Sequence, residues 1–411
     1  MNVGGLRCRA CGNEQPEVVL SLGRMPLANS LLQFEQLDQP ERVYPLELAF
    51  CPDCALVQIT ETVPPEQLFR EYLYFSSFSD TMLSHAASLA KQIVDSRKLN
   101  DKSLVVEIAS NDGYLLQYYK SLGISVLGIE PAENVARVAQ ETRGINTLCE
   151  FFNCDLALKL GKNGIKADVV HAHNVLAHVA DLNSFVRGLR FVLKADGVCV
   201  VEVPYLKELV EHCEFDTIYH EHLCYFSLTA LDRLFKRHEL IVSDVECIPI
   251  HGGSLRLWIK HSAGACQNER VRGLLSEEAS WGVERKEFYY EFARRISKLK
   301  ASLRKLLVEL KKEGHNLAAY GASAKGSTLL NYCGIGKEIL DFVVDRSTYK
   351  QGRHLPGVHL PILAPEILQT VRPDYVLLLT WNFKDEILSQ QQAYRNAGGR
   401  FIVPVPEPIV I

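Results

Sequence analysis

The sequence predicts an α/β protein in which a small cysteine-rich module precedes two units of alternating strands and helices. Short apolar runs rich in β-branched residues alternate with helical segments from about residue 80 onward, a pattern typical of parallel, doubly wound sheets. The same alternation restarts at about residue 317, after a long charged segment. Two closely spaced cysteine pairs occupy the turn-rich first segment.

Composition and charge limit the classes of function. The 411 residues suffice for two or three domains of ordinary size. A formal net charge of -4 and the lack of any basic block argue against nucleic acid as the main partner. We expect a cytoplasmic protein without a membrane partner, because the sequence has no signal-like start and no apolar run long enough to span a bilayer.

We divide the chain into residues 1–70, the cysteine-rich module, residues 71–270, the first α/β unit, and residues 271–411, a linker helix with the second α/β unit. In the first unit a helix is predicted over residues 82–99, with parallel strands at 104–109, 125–130, 167–172 and 197–203 and an antiparallel edge pair at 240–248 and 254–261. In the last part a connecting helix is predicted over about residues 275–313, followed by strands that begin near residues 317, 339, 374 and 400.

The two cysteine pairs predict a metal site. Cys8 and Cys11 form one CxxC knuckle, and Cys51 and Cys54 form a second one roughly forty residues later. Each knuckle offers two thiolates, and Zn²⁺ is the cellular metal best suited to four sulfur ligands. Because four ligands leave no open coordination position, we expect the zinc to be structural. The alternative, a redox dithiol, usually shows a single CxxC pair at the start of a helix.

A loop of small residues after the first strand of the first α/β unit predicts a cofactor site, because a ligand can approach backbone amides at the helix N-terminus that follows. Glu130 ends the next strand, where a carboxylate can accept hydrogen bonds from both hydroxyls of a ribose. These features fit NAD and S-adenosylmethionine alike, but the GxGxxG turn of nicotinamide domains is absent. The residues expected to contact the cofactor are Glu107, Ala109, Asn111, Asp112, Gly113, Tyr114, Leu115, Glu130 and Pro131.

A second motif discriminates between these two cofactors. His173 and Asn174 begin the sequence HNVLAHVAD, which follows the fourth strand and leads into a helix. Together with the small-residue loop and the GIEP strand end, this motif resembles the class I S-adenosylmethionine methyltransferases. The resemblance implies a Rossmann-like methyltransferase sheet, with Phe151 near the adenine at the end of the third strand.

A polar cluster follows the cofactor motifs. Tyr219, Glu221 and His222 lie within four consecutive positions. Such groups are costly to bury without partners, and some of them titrate near neutral pH. The cluster predicts a proton-transfer site, and a solvated polar turn is the alternative interpretation.

The Tyr-x-Glu-His cluster, the upstream Tyr-x-Tyr-x-Ser-Ser segment, the paired CxxC knuckles and the YGAxAKG segment together resemble the nucleotide-sugar C-methyltransferase family over nearly the whole chain. The resemblance implies a zinc-binding N-terminal domain, a class I methyltransferase domain and a C-terminal α/β domain that contacts a nucleotide sugar, as in the sugar C-3 methyltransferases of deoxysugar pathways. One departure is Ala109, which stands where many relatives have Gly. The active-site residues that the resemblance implies are Tyr219, Glu221, His222, His178 and one of Tyr72 and Tyr74, of which we favour Tyr74.

The family's substrates are usually thymidine diphosphate-linked 4-keto-6-deoxy sugars. The 4-keto group acidifies the hydrogen on C-3, and its removal gives an enolate that can accept a methyl group. We expect His222 to be the base, Tyr219 to lie near the enolate oxygen and Glu221 to orient a neighbour. His178 is expected to be an oxyanion donor or an assistant base, and the roles of the two histidines can be exchanged.

A turn near the C-terminus predicts contacts to the nucleotide. It follows a strand and opens a helix, so that it presents backbone amides and one cation to a diphosphate. A purely structural turn is the alternative. The residues expected to contact the nucleotide sugar are Tyr320, Ser323, Lys325, Lys350 and Arg353.

Two other functions are compatible with parts of this pattern. An NAD-dependent nucleotide-sugar oxidoreductase or epimerase would use the two α/β units, but the missing GxGxxG turn counts against it. A non-catalytic zinc-ribbon binding protein could retain a methyltransferase fold, but the intact polar cluster counts against that interpretation.

Overall fold

The structure is a computed structural model that describes residues 6–69, 75–250 and 252–411. Within these residues it contains three sheets, of four, seven and six strands, in the chain order predicted for the module and the two α/β units. The predicted α/β class is therefore confirmed. Our division of the chain at residues 70 and 270 stays a prediction.

The cysteine-rich module is built on an antiparallel sheet. Its strands are β1 (Glu17–Met25), β2 (Tyr44–Phe50) and β3 (Val57–Ile59), and helix α1 (Pro65–Phe69) follows them. β2 pairs with both β1 and β3. A fourth strand, Cys224–Tyr225, comes from the first α/β unit and pairs with β3. The module and that unit therefore share one sheet.

The first α/β unit has long apolar strands that are buried on both faces, because helices cover each side of its sheet. The strand Cys224–Tyr225, which pairs with β3 in the sheet of the module, is β9. The seven strands of the sheet in the first α/β unit are β4 (Leu104–Ile108), β5 (Ser125–Ile129), β6 (Thr147–Leu148), β7 (Ala167–His173), β8 (Leu193–Pro204), β10 (Leu240–Ile248) and β11 (Ser254–His261). The helices are α2 (Asp80–Arg97), α3 (Leu116–Ser121), α4 (Glu133–Arg143), α5 (Cys154–Lys162), α6 (Leu182–Val192), α7 (Leu206–Glu211) and α8 (Leu228–Lys236).

The strand order of this sheet is β10-β11-β8-β7-β4-β5-β6. Strands β4 to β8 run parallel, while β11 is antiparallel to both β8 and β10. The four predicted parallel strands and the predicted edge pair are confirmed. The strand order reverses at β4, so that the carboxyl ends of β4, β5 and β7 meet where ligands bind in open α/β sheets.

The predicted connecting helix is divided into two helices. α9 (Glu269–Trp281) ends at Gly282, which has a φ of 90°, and α10 (Lys286–Lys312) begins after a short turn. Glycine takes such a φ without strain, and helices commonly end on it. The helical period of the sequence is therefore correct, but it does not reveal the change of direction at this glycine.

The second α/β unit has a smaller sheet, in the order β14-β13-β12-β15-β16-β17, which is parallel except for the last strand. The predicted strands near residues 317, 339, 374 and 400 are present, and the second of them is only two residues long. The strands are β12 (Leu317–Tyr320), β13 (Val343–Val344), β14 (Ile362–Leu363), β15 (Tyr375–Leu378), β16 (Arg400–Val403) and β17 (Ile409–Val410). The helices are α11 (Ala324–Cys333), α12 (Ile367–Val371), α13 (Lys384–Gln390) and α14 (Gln392–Asn396).

Helix α10 connects all three parts of the chain. It packs against β1 of the module, α7 of the first unit and α11 of the second. Its buried face is an apolar stripe of Tyr289, Phe292, Ile296, Leu299, Leu303, Leu307 and Leu310. One continuous apolar cluster therefore passes through the module and both α/β units.

Short 3-10 helices complete the described elements. They lie at Phe34–Gln36, Ser76–Phe78, Leu176–His178, Phe215–Thr217 and Trp381–Phe383. Among the helices of the described ranges, none combines the length and the apolar character that a membrane crossing requires.

Candidate active site and metal centre

Four cysteine side chains converge in the module. The Sγ atoms of Cys8, Cys11, Cys51 and Cys54 all lie within 4.8 Å of one another. Each knuckle closes a tight turn, in which the amide four residues after its first cysteine donates to that cysteine's carbonyl oxygen over 2.9 Å. Four sulfurs bound to one tetrahedral zinc ion at about 2.3 Å lie about 3.8 Å apart. The cluster therefore fits a structural zinc ion.

The loop after β4 follows a constrained backbone path. Ala109, Asn111 and Gly113 have positive φ values of 55°, 49° and 78°. A Cβ atom on Gly113 would lie 2.9 Å from Ile145 Cγ1, so only glycine fits that position. Left-handed backbone at non-glycine residues is strained and concentrates at functional sites. Ala109 therefore adopts a conformation that strains a residue with a side chain and that glycine would adopt freely.

Glu130 is held by two backbone amides. Its Oε2 accepts a hydrogen bond from Asn111 N, and its Oε1 accepts one from Ala132 N, each over 2.9 Å. Each carboxylate oxygen keeps a second lone pair, which suits the two hydroxyls of a ribose. Burial raises the pKa of Glu130 to about 7, although both amides act to lower it.

Glu107 is a buried carboxyl group whose two oxygens have no hydrogen-bond partner among the described residues. Burial first, and then the charges of Asp112, Glu130 and Glu202, raise its pKa well above the usual value. An unpaired buried carboxylate costs free energy that a cationic ligand would offset. The strand ends therefore fit a cofactor that carries a positive charge.

His173 and Asn174 lie at the carboxyl end of β7, beside this loop. Asn174 has a φ of 51°, and its buried Oδ1 has no partner among the described residues. His173 Nε2 lies 3.0 Å from His171 Nδ1, so the His173 ring belongs to a polar network inside the sheet. Asn174 therefore offers an unpaired polar atom to a ligand, whereas one nitrogen of His173 is already engaged.

The remaining predicted cofactor residues have different environments. Tyr114 and Leu115 pack in the apolar core that includes α2, so the loop approaches a ligand mainly through its backbone. Pro131 and Phe151 are half-buried at the ends of the neighbouring strands β5 and β6.

The chain before α2 is tied to the cofactor loop. Ser76 N donates to Asn111 Oδ1 over 2.9 Å, and Ser77 Oγ donates to the carboxylate of Asp112. The Tyr-x-Tyr-x-Ser-Ser segment therefore ends directly on the loop. Tyr72 and Tyr74, the two tyrosines of that segment, lie outside the described residues.

Tyr219 and His222 form a hydrogen-bonded pair. His222 Nδ1 lies 2.9 Å from the carbonyl oxygen of Thr217, which can only accept, so Nδ1 carries the proton. In the neutral ring Nε2 is then an acceptor, and Tyr219 Oη donates to it over 2.9 Å. The backbone of the loop thus fixes the tautomer of His222.

His178 faces this pair edge-on, with a distance of 4.8 Å between the ring centroids of His178 and His222. The carbonyl oxygen of Glu221 accepts a hydrogen bond from His178 Nδ1 over 2.8 Å. Burial lowers the pKa of His178 to about 4. The ring is therefore neutral at pH 7, although the backbone carbonyl groups of Glu221 and Asn174 both act to raise its pKa.

The side chain of Glu221 is held by a residue that the sequence analysis missed. Asn29, in the cysteine-rich module, donates from Nδ2 to Glu221 Oε1 over 2.7 Å. Burial raises the pKa of Glu221 to about 7. His220 turns toward the module instead, where its Nε2 donates to the carbonyl oxygen of Pro45 over 3.1 Å. A lone asparagine far away in sequence carries no motif that could have indicated this contact.

The second α/β unit contacts the same loop through Trp381. Trp381 Nε1 donates to Asp216 Oδ2 over 2.7 Å. Asp216 is fully buried, and its other oxygen, Oδ1, has no partner among the described residues. Lys325 Nζ lies 4.8 Å from the centroid of the Trp381 ring, and this buried atom has no hydrogen bond to any residue that the structure describes. The structure therefore brings Lys325 close to the predicted active-site loop.

The rest of the predicted nucleotide-contacting turn is engaged within its own unit. Ser323 Oγ caps helix α11. Ala322 N donates to Asp345 Oδ2 over 2.8 Å, and Lys350 Nζ donates to the Ala322 carbonyl oxygen over 2.9 Å. The two other predicted contact residues are Tyr320, which is buried in the core, and Arg353, which is half-buried.

Three family models match successive parts of the chain. They describe a zinc binding domain over residues 8–69, a methyltransferase domain over residues 82–243 and a C-methyltransferase C-terminal domain over residues 249–406. The C-methyltransferase NovU of Streptomyces niveus is 38% identical over 408 residues, which cover 98% of this chain and 96% of that protein. This chain belongs to the C-methyltransferase family. It is an S-adenosylmethionine-dependent methyltransferase with a zinc-binding domain, as the sequence predicts.

More distant similarities cover only part of the C-methyltransferase. The ubiquinone biosynthesis O-methyltransferase of Bartonella tribocorum is 29% identical over 101 residues, which are 25% of this chain and 41% of that protein. A solved structure of a Pyrococcus horikoshii protein matches 49% of this chain and 100% of its own, at 16% identity and a TM-score of 0.38. The magnesium protoporphyrin IX methyltransferase of Synechocystis matches 43% of this chain and 78% of its own, at 13% identity and a TM-score of 0.33.

We predict that the C-methyltransferase retains near-stoichiometric zinc when it is purified without added metal. Cys8→Ser should release zinc and lower the free energy of unfolding, because structural zinc stabilises the folded module directly. Metal analysis and denaturant titration measure both effects. Cys266→Ser, at an exposed thiol outside the cluster, is the control and should change neither. A metal-free protein with a disulfide between Cys8 and Cys11 would contradict the assignment.

Glu130→Ala should weaken the binding of S-adenosylmethionine by about tenfold to a hundredfold, because a charged acceptor for the ribose hydroxyls is lost. Isothermal calorimetry measures the affinity. Glu133→Ala, at an exposed position three residues later, is the control. Equal affinities of the Glu130 variant and the wild type would remove Glu130 from the cofactor site.

The affinity for S-adenosylmethionine should also depend on pH. Ribose hydroxyls donate to the ionised form of Glu130, so binding favours the carboxylate and lowers its pKa. The affinity should be highest above pH 7, and it should fall as the pH falls through about 7, the raised pKa of the free protein. Calorimetry at a series of pH values should show this fall in the wild type and a smaller one in Glu130→Gln. The same slope in both proteins would contradict this role.

Trp381→Phe should destabilise the protein by about 1–3 kcal/mol, because it leaves the buried carboxylate of Asp216 without its donor. The phenylalanine still places an aromatic ring beside Lys325, so the substitution mainly removes the hydrogen bond. Denaturant titration of the single variants and of the double variant with Asp216→Asn measures the coupling between the two positions. Additive effects would show that this hydrogen bond does not anchor the loop.

Proposed function

We propose that this enzyme acts in the cytoplasm and methylates a ring carbon of a nucleotide diphosphate-linked 4-keto-deoxysugar, at C-3 through an enolate, with thymidine diphosphate as the nucleotide. The observation that carries the proposal is the hydrogen-bonded series from the Thr217 carbonyl oxygen through His222 to Tyr219, with His178 facing it. It leaves a neutral imidazole lone pair directed at a phenol, which is an arrangement for moving one proton.

The proposed proton transfer uses both members of the pair. His222 stays the final acceptor of the proton, but the proposed role of Tyr219 differs from the one expected from the sequence: Tyr219 Oη takes the proton from C-3 while its own proton moves to His222 Nε2, over the hydrogen bond of 2.9 Å. The electron pair of the broken C–H bond becomes the enolate, with its negative charge on the oxygen of the 4-keto group. The Thr217 carbonyl oxygen stabilises the imidazolium that results, because it accepts the hydrogen bond from Nδ1. When bound, S-adenosylmethionine would supply the electrophilic methyl group: C-3 forms the new C–C bond as the C–S bond breaks, and that bond's electron pair stays on the sulfur of the departing S-adenosylhomocysteine.

Cofactor and substrate are proposed to meet at the carboxyl ends of β4, β5 and β7. Glu107, Asn111, Glu130 and Asn174 lie there, and Gly113 gives the loop after β4 its left-handed turn. The proposed hydrogen bonds of Glu130 are to the ribose of the cofactor. Lys325 is the residue proposed to interact with the diphosphate, because its buried Nζ has no hydrogen bond among the described residues and lies beside the loop that carries Asp216.

Both roles that we proposed for His178 stay part of the proposal. Burial lowers the pKa of His178 to about 4, although the carbonyl oxygens of Glu221 and Asn174 act to raise it, so the ring is neutral at pH 7. A neutral imidazole has one donor and one acceptor nitrogen, so it can serve either as an oxyanion donor or as an assistant base. Glu221 contacts the module through its side chain, which accepts from Asn29, and it orients His178 through its backbone carbonyl oxygen.

The proposal predicts that His222→Asn slows methyl transfer by roughly 10²–10⁴-fold while cofactor and sugar still bind, which is the usual range for general base catalysis. The assay combines a thymidine diphosphate-linked 4-keto-6-deoxy sugar with a labelled methyl donor. In D₂O, with S-adenosylhomocysteine in place of the donor, NMR follows deuterium entering the acceptor carbon. Wild type should exchange faster than His222→Asn and faster than Tyr219→Phe.

The matched control is His220→Gln, which keeps a donor for the Pro45 carbonyl oxygen and should exchange at nearly the wild-type rate. If His222→Asn exchanges as fast as wild type while His178→Asn fails, His178 is the base. If no 4-keto sugar accepts a methyl group, the proposed substrate class is wrong.

A further inference from the structure

The zinc-binding module extends a segment toward the active site. Residues 26–41, here called the interdomain strap, make up most of the connection between β1 and β2 of the module. Asn29, near its beginning, contacts Glu221 in the active-site loop. Further along, Leu32 and His354 exchange two backbone hydrogen bonds of 2.9 and 2.8 Å, and Glu41 forms a bridge of 2.6 Å to His359. The strap is therefore fixed to the second α/β unit at two points.

The position of Asn29 is restricted on both sides, by the contact of Leu32 with the second α/β unit and by the end of β1. The backbone bridge at Leu32 follows Asn29 by three residues, and the main chain of Leu31 is turned back by a hydrogen bond to the Asn29 carbonyl oxygen of 2.9 Å. β1 ends at Met25, four residues before Asn29. The amide of Asn29 is thus presented from a short segment that is anchored on both sides.

The pKa of Glu221 is affected mainly by burial and by the hydrogen bond from Asn29. Glu221 is buried, and its Oε1 accepts from Asn29 Nδ2 over 2.7 Å. Burial raises the pKa of Glu221, and the hydrogen bond from Asn29 lowers it. No charged side chain of the described ranges contributes. The ionisable neighbours are His178, His220 and His222, and burial lowers the pKa of the first two, so they are neutral at pH 7.

We propose that Asn29 is a positioning residue of the active site, contributed by the zinc-binding module, which fixes the carboxylate of Glu221 and through Glu221 the ring of His178. The geometry that supports it is the hydrogen bond to the Glu221 side chain together with the bond from His178 Nδ1 to the Glu221 carbonyl oxygen. This inference rests on the proposed function, because Asn29 can position active-site groups only if His178 and Glu221 belong to the active site.

The proposal has a consequence for the ionisation of Glu221 that a merely structural contact would lack. A donor to a carboxylate favours its ionised form. When Asn29→Ala removes that donor, the titration midpoint of Glu221 should rise by about 1–2 pH units, which is the size of effect that a hydrogen bond to an ionised, buried group has. The carboxylate then ionises only at higher pH.

The experiment measures this midpoint without any sugar. Full-length protein is labelled with ¹³C at the glutamate side-chain carboxyl carbons, and the Glu221 signal is assigned by its loss in Glu221→Gln. The midpoint is measured by NMR in wild type, in Asn29→Ala and in Ser30→Ala, an exposed neighbour on the strap that serves as the matched control. Zinc content is measured for each protein, so that an unfolded module is recognised.

Turnover provides the second measurement. The limb of the kcat profile that reports Glu221 should move to higher pH in Asn29→Ala by the same amount as the midpoint. In a Glu221→Gln background, Asn29→Ala should cause no further change, because the two residues act through one contact. An effect of equal size in both backgrounds would overturn the proposal.

The two measurements separate this inference from the proposed function. An unchanged midpoint in zinc-loaded Asn29→Ala overturns the role of Asn29 even when the sugar is methylated. A raised midpoint in a protein that methylates no keto sugar keeps the Asn29–Glu221 coupling and overturns the substrate assignment instead. A raised midpoint in Ser30→Ala as well would show a general effect of the strap and would contradict a specific role of Asn29.

Discussion

The proposed catalytic loop depends on being fixed at both ends by parts of the chain that lie far away in sequence. Immediately after His222, the Leu223 carbonyl oxygen accepts from Ile59 N over 3.0 Å, where β9 joins the sheet of the module. At the other end, Asp216 is held by Trp381 of the second α/β unit. Between them the Thr217 carbonyl oxygen, part of the same short 3-10 helix, determines the tautomer of His222. A loop free at either end would lose this tautomer control, so the chemistry of the site requires all three parts.

Burial determines the charge states at the site. It keeps His178 neutral, and it raises the pKa values of Glu130 and Glu221 to about 7. A neutral imidazole can accept a proton, and a carboxyl group near its pKa responds strongly to a single donor. Hydrogen bonds therefore act on each of these groups: Glu130 accepts from two backbone amides, Glu221 accepts from Asn29, and His178 donates to the Glu221 carbonyl oxygen. Asn29 is itself exposed, and it acquires importance because the carboxyl group to which it donates is buried.

The sequence predicts those features whose cause is local. Two CxxC knuckles specify a metal whatever the chain between them does, and the alternation of apolar strands with helices fixes the sheet of the first α/β unit. The polar cluster at residues 219–222 also stands out locally. The contacts of Asn29 and Trp381 with that cluster do not, because they follow from the packing of three sheets along α10. The break at Gly282 was missed because a glycine inside a helical period is compatible with both a continuous helix and a helix end.

At the cofactor loop, too, the sequence shows which charged groups are present but does not show how they are paired. Its sequence indicates carboxylates at strand ends, but the structure shows which of them are paired. Asp112 is paired with Arg143 and Glu202 with Arg256, whereas neither Glu107 nor Glu130 has a cation among its partners in the described ranges. Two buried carboxyl groups without a cation repel each other and hold protons that an anionic or neutral ligand would not displace. A sulfonium cofactor with an amino group carries the complementary charge, and its binding would offset the burial of Glu107. The electrostatics of the strand ends thus fit the S-adenosylmethionine that the family assignment implies.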